Sequence, residues 1–591
     1  MGNYRNFELV VYFVAKGTEE ITKEKLQEEI EFFKKYMRID KVYLEPYRDS
    51  VFASEEQVRM CKEVFLENGI RVEGGLTTCI RDIEGEKKKQ RLFDTFCYND
   101  ESMLNELKSV SSFLGSMFDA FIIDDFYFTG CTCEKCREEK DKYNKEHGIT
   151  DGSWQSYRVH RQYEISRDYI IGPAKEKNPE MKITIKYPNW MESYQETGYD
   201  PLTQKDIFDY IYTGTETRDP LHTDQHLPRY LSFSLMRYME DMAPGRNMGG
   251  WFDPFDCRLL DYYLEQAYLT AFAKPKEMMM FCFQALVNTV NVPALGFMLD
   301  ELDRLLDHLG EPVGIPCYIP NGSQGEDNVQ DFLGMHGFPV ITTPLFKEDE
   351  PVMLLTGASA YDEDIIDKLS KYVAAGGKAI VTSGFVKETL DRGLKAMTSI
   401  RDRGRIVSVD EFITETQSFY HGFDRSSSKD SVEIPVLEFR NNATWGAVCK
   451  ALKDEESYTL FARDTYGDGE MYTLVVPEAF SDIQRYPEPV LNRMRQEFSV
   501  RGIRLEGPPM ISLFVYDNDT FVIMSYADRN TYDADITVFI RKDEDEDIVL
   551  KTIMYEREIK PLYVNERGEA AFLLRAFSGK FEGCRIERSR K

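Results

Sequence analysis

Long apolar runs are missing from this sequence, and basic residues are outnumbered by acidic ones. No apolar segment approaches the ~20 residues that a helix needs to cross a bilayer. The chain has 102 aspartates and glutamates against 73 lysines and arginines, which gives a formal net charge of −29. Nucleic acids and anionic membranes bind clustered lysine and arginine. The composition therefore argues against nucleic acid or a membrane as a partner.

A disulfide framework is also not expected, because the eleven cysteines are an odd number scattered along the chain. That distribution predicts free thiols in a reducing compartment. The first residues, MGNYRNFELVVYFVAKG, lack a basic segment followed by an apolar stretch and a cleavage site. No secretory signal is therefore expected, and the sequence predicts a cytoplasmic protein.

The 591 residues are enough for about three domains. Residues 1–305 alternate short apolar runs with helical stretches, the order that βα units produce. The candidate strands are residues 7–15, 41–47, 70–78, 119–126, 181–188, 208–216, 247–253 and 277–285. Eight such units in series predict a (β/α)8 barrel of the α/β class, with its active site at the carboxyl ends of the strands.

Two smaller domains are predicted after the barrel. Residues 306–497 alternate strands and helices, which predicts a small doubly wound α/β domain, and they lack a glycine-rich nucleotide-binding motif. Residues 498–591 alternate apolar and polar side chains with a period of two, which predicts an antiparallel β-sandwich.

Polar residues stand near the ends of nearly all the candidate barrel strands. Barrel strands are buried on both faces, so a ring of charged tips at one mouth indicates a site. Aromatic residues, on which sugar rings can stack, accompany them. The predicted substrate-binding residues are Glu45, Tyr47, Glu73, Lys186, Tyr187, Trp190, Arg218, Trp251, Asp256 and Gln284.

Two adjacent aspartates end the fourth candidate strand, in the run FIIDD. Glycoside hydrolysis needs two carboxyl groups, one to protonate the leaving oxygen and one to act as nucleophile or base. Side chains alternate along a strand, so only one of Asp124 and Asp125 can point squarely into the barrel mouth. The second carboxylate is offered by Glu216 in TGTETRD, near strand six, or by Asp253 in GWFDPFD, near strand seven.

The run CTCEKC places Cys131, Cys133 and Cys136 close together where a loop enters a helix. Three thiols at this spacing suit one tetrahedral metal, and a closed structural zinc site needs a fourth ligand. Cys257 and Cys97 are the candidates, and Cys97 is favoured because the loops after strands three and four are neighbours in a barrel. The alternative is three unligated thiols at a turn. Four thiolates would leave zinc no open position, so it would hold loops rather than activate water.

The layout and the cysteine array together resemble the trimeric beta-galactosidases of glycoside hydrolase family 42. The resemblance implies a barrel, a flavodoxin-like trimerisation domain, a small β-domain and a homotrimer. It implies structural zinc at Cys97, Cys131, Cys133 and Cys136. It also implies Asp125 as acid/base and Asp253 as nucleophile, where the family carries two glutamates. Glu216 remains an alternative partner for Asp125.

The leading hypothesis is a glycosidase that acts from the ends of short oligosaccharides or glycosides and needs no organic cofactor. The adjacent aspartates are also similar to those of hexosaminidases that use the substrate's own N-acetyl group as nucleophile. A non-catalytic carbohydrate-binding protein is a third possibility, since both expected glutamates are replaced. A hydrolase with catalytic zinc would need histidine ligands, and only seven histidines are present.

Overall fold

The computed structural model describes residues 4–49, 51–79, 95–415, 423–440, 446–527 and 532–590. The chain divides into two compact units. The first is Met1–His226 with Met239–Asp303, and the second is Leu227–Tyr238 with Arg304–Lys591. The second unit contains both of the smaller predicted domains, so the proposed boundary near residue 497 stays a prediction.

Eight parallel strands close into a barrel in the first unit, which confirms the predicted barrel. The first strand pairs with the eighth, with Glu8 opposite Glu277, and neighbours in the chain pair around the rest of the ring. In chain order the strands are Glu8–Phe13, Lys41–Leu44, Arg71–Leu76, Ala120–Ile123, Lys182–Tyr187, Tyr210–Gly214, Asn247–Phe252 and Glu277–Met280. A short hairpin of Tyr47–Arg48 and Val51–Phe52 follows the second strand.

Helices follow the barrel strands, and several begin at a capping side chain. The Thr22 hydroxyl accepts from the Lys25 N–H, and the Asp100 carboxylate accepts from the Met103 N–H. Such caps stabilise a helix by about 1 kcal/mol. The α-helices are Ala15–Glu20, Lys23–Lys34, Glu55–Glu67, Glu101–Met117, Glu134–Glu146, Gln155–Ile165, Gly172–Lys177, Tyr194–Thr197, Pro201–Gln204, Leu231–Met242, Leu260–Phe272, Phe283–Leu286 and Asn291–Leu306. Ser166–Ile171 forms a π-helical segment.

Side chains fill the barrel interior. The buried cluster consists of Val10, Tyr12, Tyr43, Ile122, Tyr212, Trp251 and Met279. Tyr12 fits because Gly75 has no side chain, since a Cβ there would lie 2.6 Å from the Tyr12 hydroxyl oxygen. That hydroxyl donates to Glu45 at 2.7 Å, so the packed core is directly connected to the polar groups at the mouth.

A second sheet, in the second unit, contains five parallel strands that lie in the order 2-1-3-4-5 when numbered along the chain. This is the doubly wound order of flavodoxin-like sheets. The five strands are Ile315–Tyr318, Val340–Thr343, Val352–Leu355, Lys378–Thr382 and Gly469–Leu474. Antiparallel strands extend the sheet beyond the fifth, in the order Glu456–Tyr466, Ala447–Lys453, Ile400–Glu415 and Phe423–Phe439. The α-helices of this region are Val329–Met335, Ile365–Ala374, Ser383–Thr389 and Glu488–Arg495.

Two antiparallel sheets form the C-terminal region, as the period-two pattern predicts. The six-stranded sheet has the order Pro312–Val313, Ile511–Tyr516, Thr520–Ser525, Phe581–Arg590, Glu546–Thr552 and Glu558–Ile559. The four-stranded sheet has the order Ile503–Glu506, Ala534–Arg541, Glu569–Ala576 and Tyr563–Val564. Strand alternation places apolar side chains such as Val538 and Phe572 in the interior.

Candidate active site

A cavity of about 710 Å³ lies at the carboxyl ends of the barrel strands. Asp124 directly follows strand four, Asp253 directly follows strand seven, and Glu216 lies two residues past strand six. The carboxyl ends of parallel strands meet at one edge, so residues far apart in sequence come together here. The cavity is lined by all four predicted catalytic carboxylates, namely Asp124, Asp125, Glu216 and Asp253.

Lys186, near the end of strand five, joins two of these carboxylates. Its Nζ donates to Asp125 Oδ2 at 2.6 Å and to Glu216 Oε1 at 2.9 Å. The two carboxylate oxygens are therefore at most 5.5 Å apart, because both bond to the same nitrogen. Burial disfavours the charged ammonium, but the surrounding carboxylates outweigh it and raise the pKa of Lys186 above its ordinary value. Lys186 is thus a buried cation shared by Asp125 and Glu216.

Asp124 lines the cavity but is almost fully buried, and it is paired with Arg48. Arg48 Nη2 donates to Asp124 Oδ2 at 2.5 Å, and its Nε donates to Glu45 Oε2 at 2.8 Å. Asp124 Oδ1 accepts from the Asp125 N–H at 2.7 Å. The Asp124 side chain is 1% exposed, whereas that of Asp125 is 16% exposed. Asp124 therefore positions the loop and Arg48, while Asp125 presents its carboxylate to the cavity.

Asp253 is held on both oxygens by Arg218. The guanidinium donates to Oδ1 at 2.9 Å and to Oδ2 at 2.7 Å, and the Phe255 N–H adds a third bond at 3.1 Å. Arg218 has a φ of +56°, a left-handed conformation that non-glycine residues seldom adopt. This bidentate ion pair fixes the orientation of the Asp253 carboxylate and neutralises its negative charge.

Half of the predicted substrate-binding residues line this cavity. They are Lys186, Trp190, Arg218, Trp251 and Asp256. Trp251 belongs to strand seven and its ring lies 4.1 Å from Lys186 Nζ, so it is part of the cavity floor. Trp190 stands in the loop after strand five, packed edge-on against Phe128 at 5.7 Å between ring centres. Aromatic walls and a carboxylate floor suit a sugar, which has apolar ring faces and many hydroxyl groups.

Glu73 is a correction, because the structure places it near the opposite end of the barrel. It is the third residue of its strand, and it accepts from Lys41 Nζ at 3.1 Å. Lys41 is the first residue of strand two and also donates to Glu277 at 2.6 Å. The sequence pattern shows a polar residue in the strand but not how far along the strand it lies from the mouth. Glu73 therefore belongs to a buried ion cluster below the core.

Four more predicted binding residues lie outside the cavity lining and are also corrected. Glu45 is fully buried and accepts from Tyr12, Ala15 and Arg48, so it anchors Arg48 rather than a ligand. The others are Tyr47, Tyr187 and Gln284: Tyr47 is buried in the short hairpin, the Tyr187 hydroxyl donates to Gln204, and Gln284 accepts from the Val14 N–H.

Several residues of the cavity lining were missed by sequence reasoning. They are Arg48, Phe126, Phe128, Asn189, Ser193, Thr223, Asp224, Gln225, Phe255 and Phe281. Phe126 and Phe128 lie two residues apart directly after the two aspartates, and this spacing could have identified them as neighbours of the site. Asn189 and Gln225 hydrogen-bond to each other from separate loops, and nothing in their local sequence indicates that meeting.

The four cysteines expected to form a metal site come together. Their Sγ atoms all lie within 4.8 Å of one another, and Cys97 Sγ is 3.5 Å from Cys136 Sγ. Tetrahedral zinc with Zn–S bonds of about 2.3 Å would place sulfurs about 3.8 Å apart, so the donor set fits. Cys257, the other candidate, lies outside this group. Among the described residues this is the only cluster of possible metal ligands. His222 and His226 stand four residues apart in an exposed loop, a spacing that can bind a metal and that the sequence analysis did not identify.

Comparison with known families accounts for most of the chain. A family model described as a probable glycosyl hydrolase catalytic domain matches residues 1–295, and the corresponding C-terminal domain model matches residues 502–567. Both models describe parts of a glycosyl hydrolase. The chain is a glycosyl hydrolase. A model of the second domain of the uncharacterized protein SSO3021 matches residues 310–479.

A relative and two solved structures are similar to the chain over most of its length. SSO3021 from Saccharolobus solfataricus is 26% identical over 499 residues, covering 80% of this glycosidase and 82% of that protein. A mutant of Gan42B, a GH42 beta-galactosidase from G. stearothermophilus, has a TM-score of 0.63 at 11% identity over 99% of both chains. Alpha-L-fucosidase isoenzyme 2 from Paenibacillus thiaminolyticus has a TM-score of 0.64 at 13% identity over 100% of both. At such identities the two structures show a shared fold.

In this glycosidase, the Asp124 carboxyl group is expected to gain a proton just below neutral pH. Burial and the neighbouring Asp125 carboxylate raise the pKa of Asp124 to about 6, although Arg48 and Lys186 act in the opposite direction. Below that pH the group is protonated, and the ion pair with Arg48 is lost. Arg48 and Lys186 then stay charged, but the Asp124 carboxylate no longer balances their charge.

We therefore expect the hydrolysis rate to fall as the pH drops through about 6, because Asp124 loses its charge there. In Asp124→Asn this step should be absent from the pH profile of kcat/KM, and turnover at pH 8 should already be low. The exposed Asp119, just before strand four, supplies the control variant Asp119→Asn. An unchanged acid step in Asp124→Asn would assign it to another group.

Proposed function

We propose that this glycosidase removes terminal sugars from short oligosaccharides or simple glycosides in the cavity at the barrel mouth. The cavity combines carboxylates, one shared cation and aromatic walls within about 710 Å³. The fold neighbours named beta-galactosidase and alpha-L-fucosidase support action on single terminal sugars.

Asp125 and Glu216 are the catalytic carboxylates in this proposal. The observation that carries it is their shared bond to Lys186, which keeps the two oxygens within 5.5 Å. Carboxyl groups about 5–5.5 Å apart are typical of glycosidases that retain anomeric configuration. Asp253 is the less suited partner, because Arg218 occupies both of its oxygens.

The roles follow from what each oxygen contacts. Asp125 is the more exposed, so it protonates the leaving oxygen and later takes a proton from the attacking water. Glu216 Oε2 is buried and has no hydrogen-bond partner among the described residues. Since that oxygen is enclosed, the attack on the anomeric carbon is assigned to Glu216 Oε1, which Lys186 holds at 2.9 Å. The glycosyl–enzyme ester that forms is then hydrolysed, which releases the sugar and restores Glu216.

We expect Asp125→Asn and Glu216→Gln to lower kcat by at least about 10²–10⁴-fold, the usual contribution of such groups. Asp253→Asn should lower kcat less and act more on KM, because it disturbs the Arg218 wall. The measurement is hydrolysis of an aryl-glycoside panel that includes N-acetylated sugars, with thermal unfolding as the fold control. A small effect of Glu216→Gln beside a large one of Asp253→Asn would move the nucleophile to Asp253.

The stereochemistry of the product tests the same assignment. With Asp125 and Glu216 as the pair, NMR of the first-formed sugar should show retention of configuration. Inversion would contradict the separation set by Lys186. A strict requirement for an N-acetyl group would instead favour the substrate-assisted route through Asp124 and Asp125.

We also propose that Cys97, Cys131, Cys133 and Cys136 bind structural zinc. All four side chains are buried, and Cys133 stands at the start of helix Glu134–Glu146. Asn99 supports the cluster: its side-chain amide donates to Cys136 Sγ at 3.2 Å and to the Tyr157 hydroxyl at 2.6 Å. With four thiolates the metal would fix the loops that follow strands three and four, and it would take no part in hydrolysis.

Metal analysis should therefore find about one zinc per chain that is released only on unfolding. Cys131→Ser should lose the metal and lower the unfolding temperature, because one of four bonds is removed and the rest of the cluster is left charged and buried. Cys61→Ala, which removes a buried thiol from helix Glu55–Glu67, should keep the zinc. A metal-free wild type that unfolds at the same temperature with and without added zinc would contradict the site.

The assembly and compartment complete the proposal: a homotrimer in the cytoplasm. The trimer rests on the resemblance to family 42, and the compartment on eleven cysteines that are all free of disulfides. No helix in the described part of the chain is long and apolar enough to cross a membrane. Light scattering should give three times the mass of one chain, and a stable monomer would contradict the trimer.

A further inference from the structure

Five aromatic side chains of the catalytic cavity form one connected series, which we call the aromatic arc. From one end to the other they are Trp190, Phe128, Phe126, Phe281 and Phe255. The ring centre of Phe128 lies 5.7 Å from that of Trp190 and 6.4 Å from that of Phe126. Those of Phe281 and Phe255 lie 5.9 Å apart. Arg48 joins the two groups, because its guanidinium carbon lies 5.5 Å from the Phe126 ring centre and 5.8 Å from that of Phe281.

The aromatic arc exposes apolar surface inside a concave site. Phe255 is 41% exposed. Trp190, Phe126 and Phe281 are half-buried, and all of them line the cavity. Covering such rings with an apolar group releases water and is favourable. Apolar surface that stays open in a cavity is typical of a ligand-binding groove. The open surface of the aromatic arc therefore indicates contact with an apolar part of the substrate.

The aromatic arc lies on the Asp125 side of the two catalytic carboxylates. Phe126 directly follows Asp125 in the chain, and Arg48, which joins the arc, donates to the neighbouring Asp124. Asp125 protonates the leaving oxygen in the proposed mechanism, so the leaving group must lie beside Asp125. The groups there are aromatic rings and a guanidinium whose Nε and Nη2 are already bonded to Glu45 and Asp124.

Hydrogen-bonding side chains are grouped beside Glu216. The Asn189 side-chain amide donates to the Glu216 carbonyl oxygen at 2.8 Å, and Asn189 also pairs with Gln225. Arg218 follows Glu216 by two residues and holds the Asp253 carboxylate. The hydroxyl groups of a sugar need such donors and acceptors when they leave water. The cavity is therefore polar on the side where a sugar would meet Glu216 and apolar on the side where its leaving group would depart.

We propose that the aromatic arc is the binding site of the leaving group, and that this enzyme acts on glycosides whose leaving group is an apolar alcohol. The proposal rests on the proposed hydrolysis by Asp125 and Glu216, and it narrows the substrate class of that same site. An apolar leaving group covers the open ring surface without needing a hydrogen bond. A second sugar in its place would also need partners for its hydroxyl groups.

Ethyl and hexyl glycosides of the sugar that the aryl-glycoside panel identifies test the proposal, because the two leaving alcohols are about equally acidic. Each methylene that becomes buried should favour binding about fourfold, so kcat/KM for the hexyl glycoside should exceed that for the ethyl glycoside by at least about tenfold. Phe255→Ala should lower this ratio at least about threefold, because it removes the most exposed ring of the aromatic arc.

Leu259 supplies the matched control. It is 47% exposed, belongs to the same loop as Phe255 and lies outside the cavity lining. Leu259→Ala should therefore keep the wild-type ratio, with thermal unfolding as the check that both variants fold. Equal kcat/KM values for the two glycosides would overturn the proposal. An equal fall of the ratio in both variants would also overturn it.

Binding of the leaving group alone separates this proposal from the proposed hydrolysis. Isothermal titration of wild type with para-phenylphenol should show one saturable site, and Phe255→Ala should weaken it while Leu259→Ala does not. Binding without turnover of any glycoside would overturn the hydrolysis and leave the aromatic arc as an apolar binding site. Turnover of glycosides without any binding of para-phenylphenol would overturn the leaving-group site and leave the hydrolysis intact.

Discussion

The mouth of the barrel depends on one buried ammonium group. Lys186 is 2% exposed and lies within 4.0 Å of carboxylate oxygens from Asp124, Asp125 and Glu216. Without it, the three carboxylates from two strand ends, which are at most 16% exposed, would repel one another. Breaking a buried ion pair by removing one partner costs about 3–5 kcal/mol, so the cation and its carboxylates stabilise each other's position. The arrangement of these carboxylates depends on this charge balance.

The segment FIIDDFYFTGCTCEKC combines chemistry and support in one loop. Its first part presents Asp125 to the cavity, and the Tyr199 hydroxyl holds the Asp125 carbonyl oxygen at 2.7 Å. Its middle is fixed by Tyr127, whose hydroxyl bonds to Ser166 at 2.8 Å and whose carbonyl oxygen accepts from Gln162. Its end carries three of the four clustered cysteines. These hydrogen bonds fix the backbone next to Asp125 and therefore help to hold its carboxylate in position.

Individual elements show where sequence reasoning succeeds and where it stops. Apolar runs and helical spacing located all eight barrel strands, since each run must be buried in any version of the fold. The predicted positions of Asp124, Glu216 and Asp253 at the ends of strands four, six and seven were also correct, because each residue closely follows an apolar run. Glu73 was misplaced because a polar residue within an apolar strand sequence can lie near either end of the barrel. The pairing of Arg48 with Glu45 and Asp124 joins two loops, and no local pattern encodes it.

The sequence by itself determined the order of elements, the class of the fold, the residue types for glycoside hydrolysis and the set of four thiols that come together. These depend on local hydrophobic period, chain order and spacing, which are properties of the sequence. Only the tertiary structure decided that Lys186 joins Asp125 to Glu216 and that Arg218 occupies both oxygens of Asp253. Such relations depend on distances between groups tens of residues apart, and folding alone sets those distances.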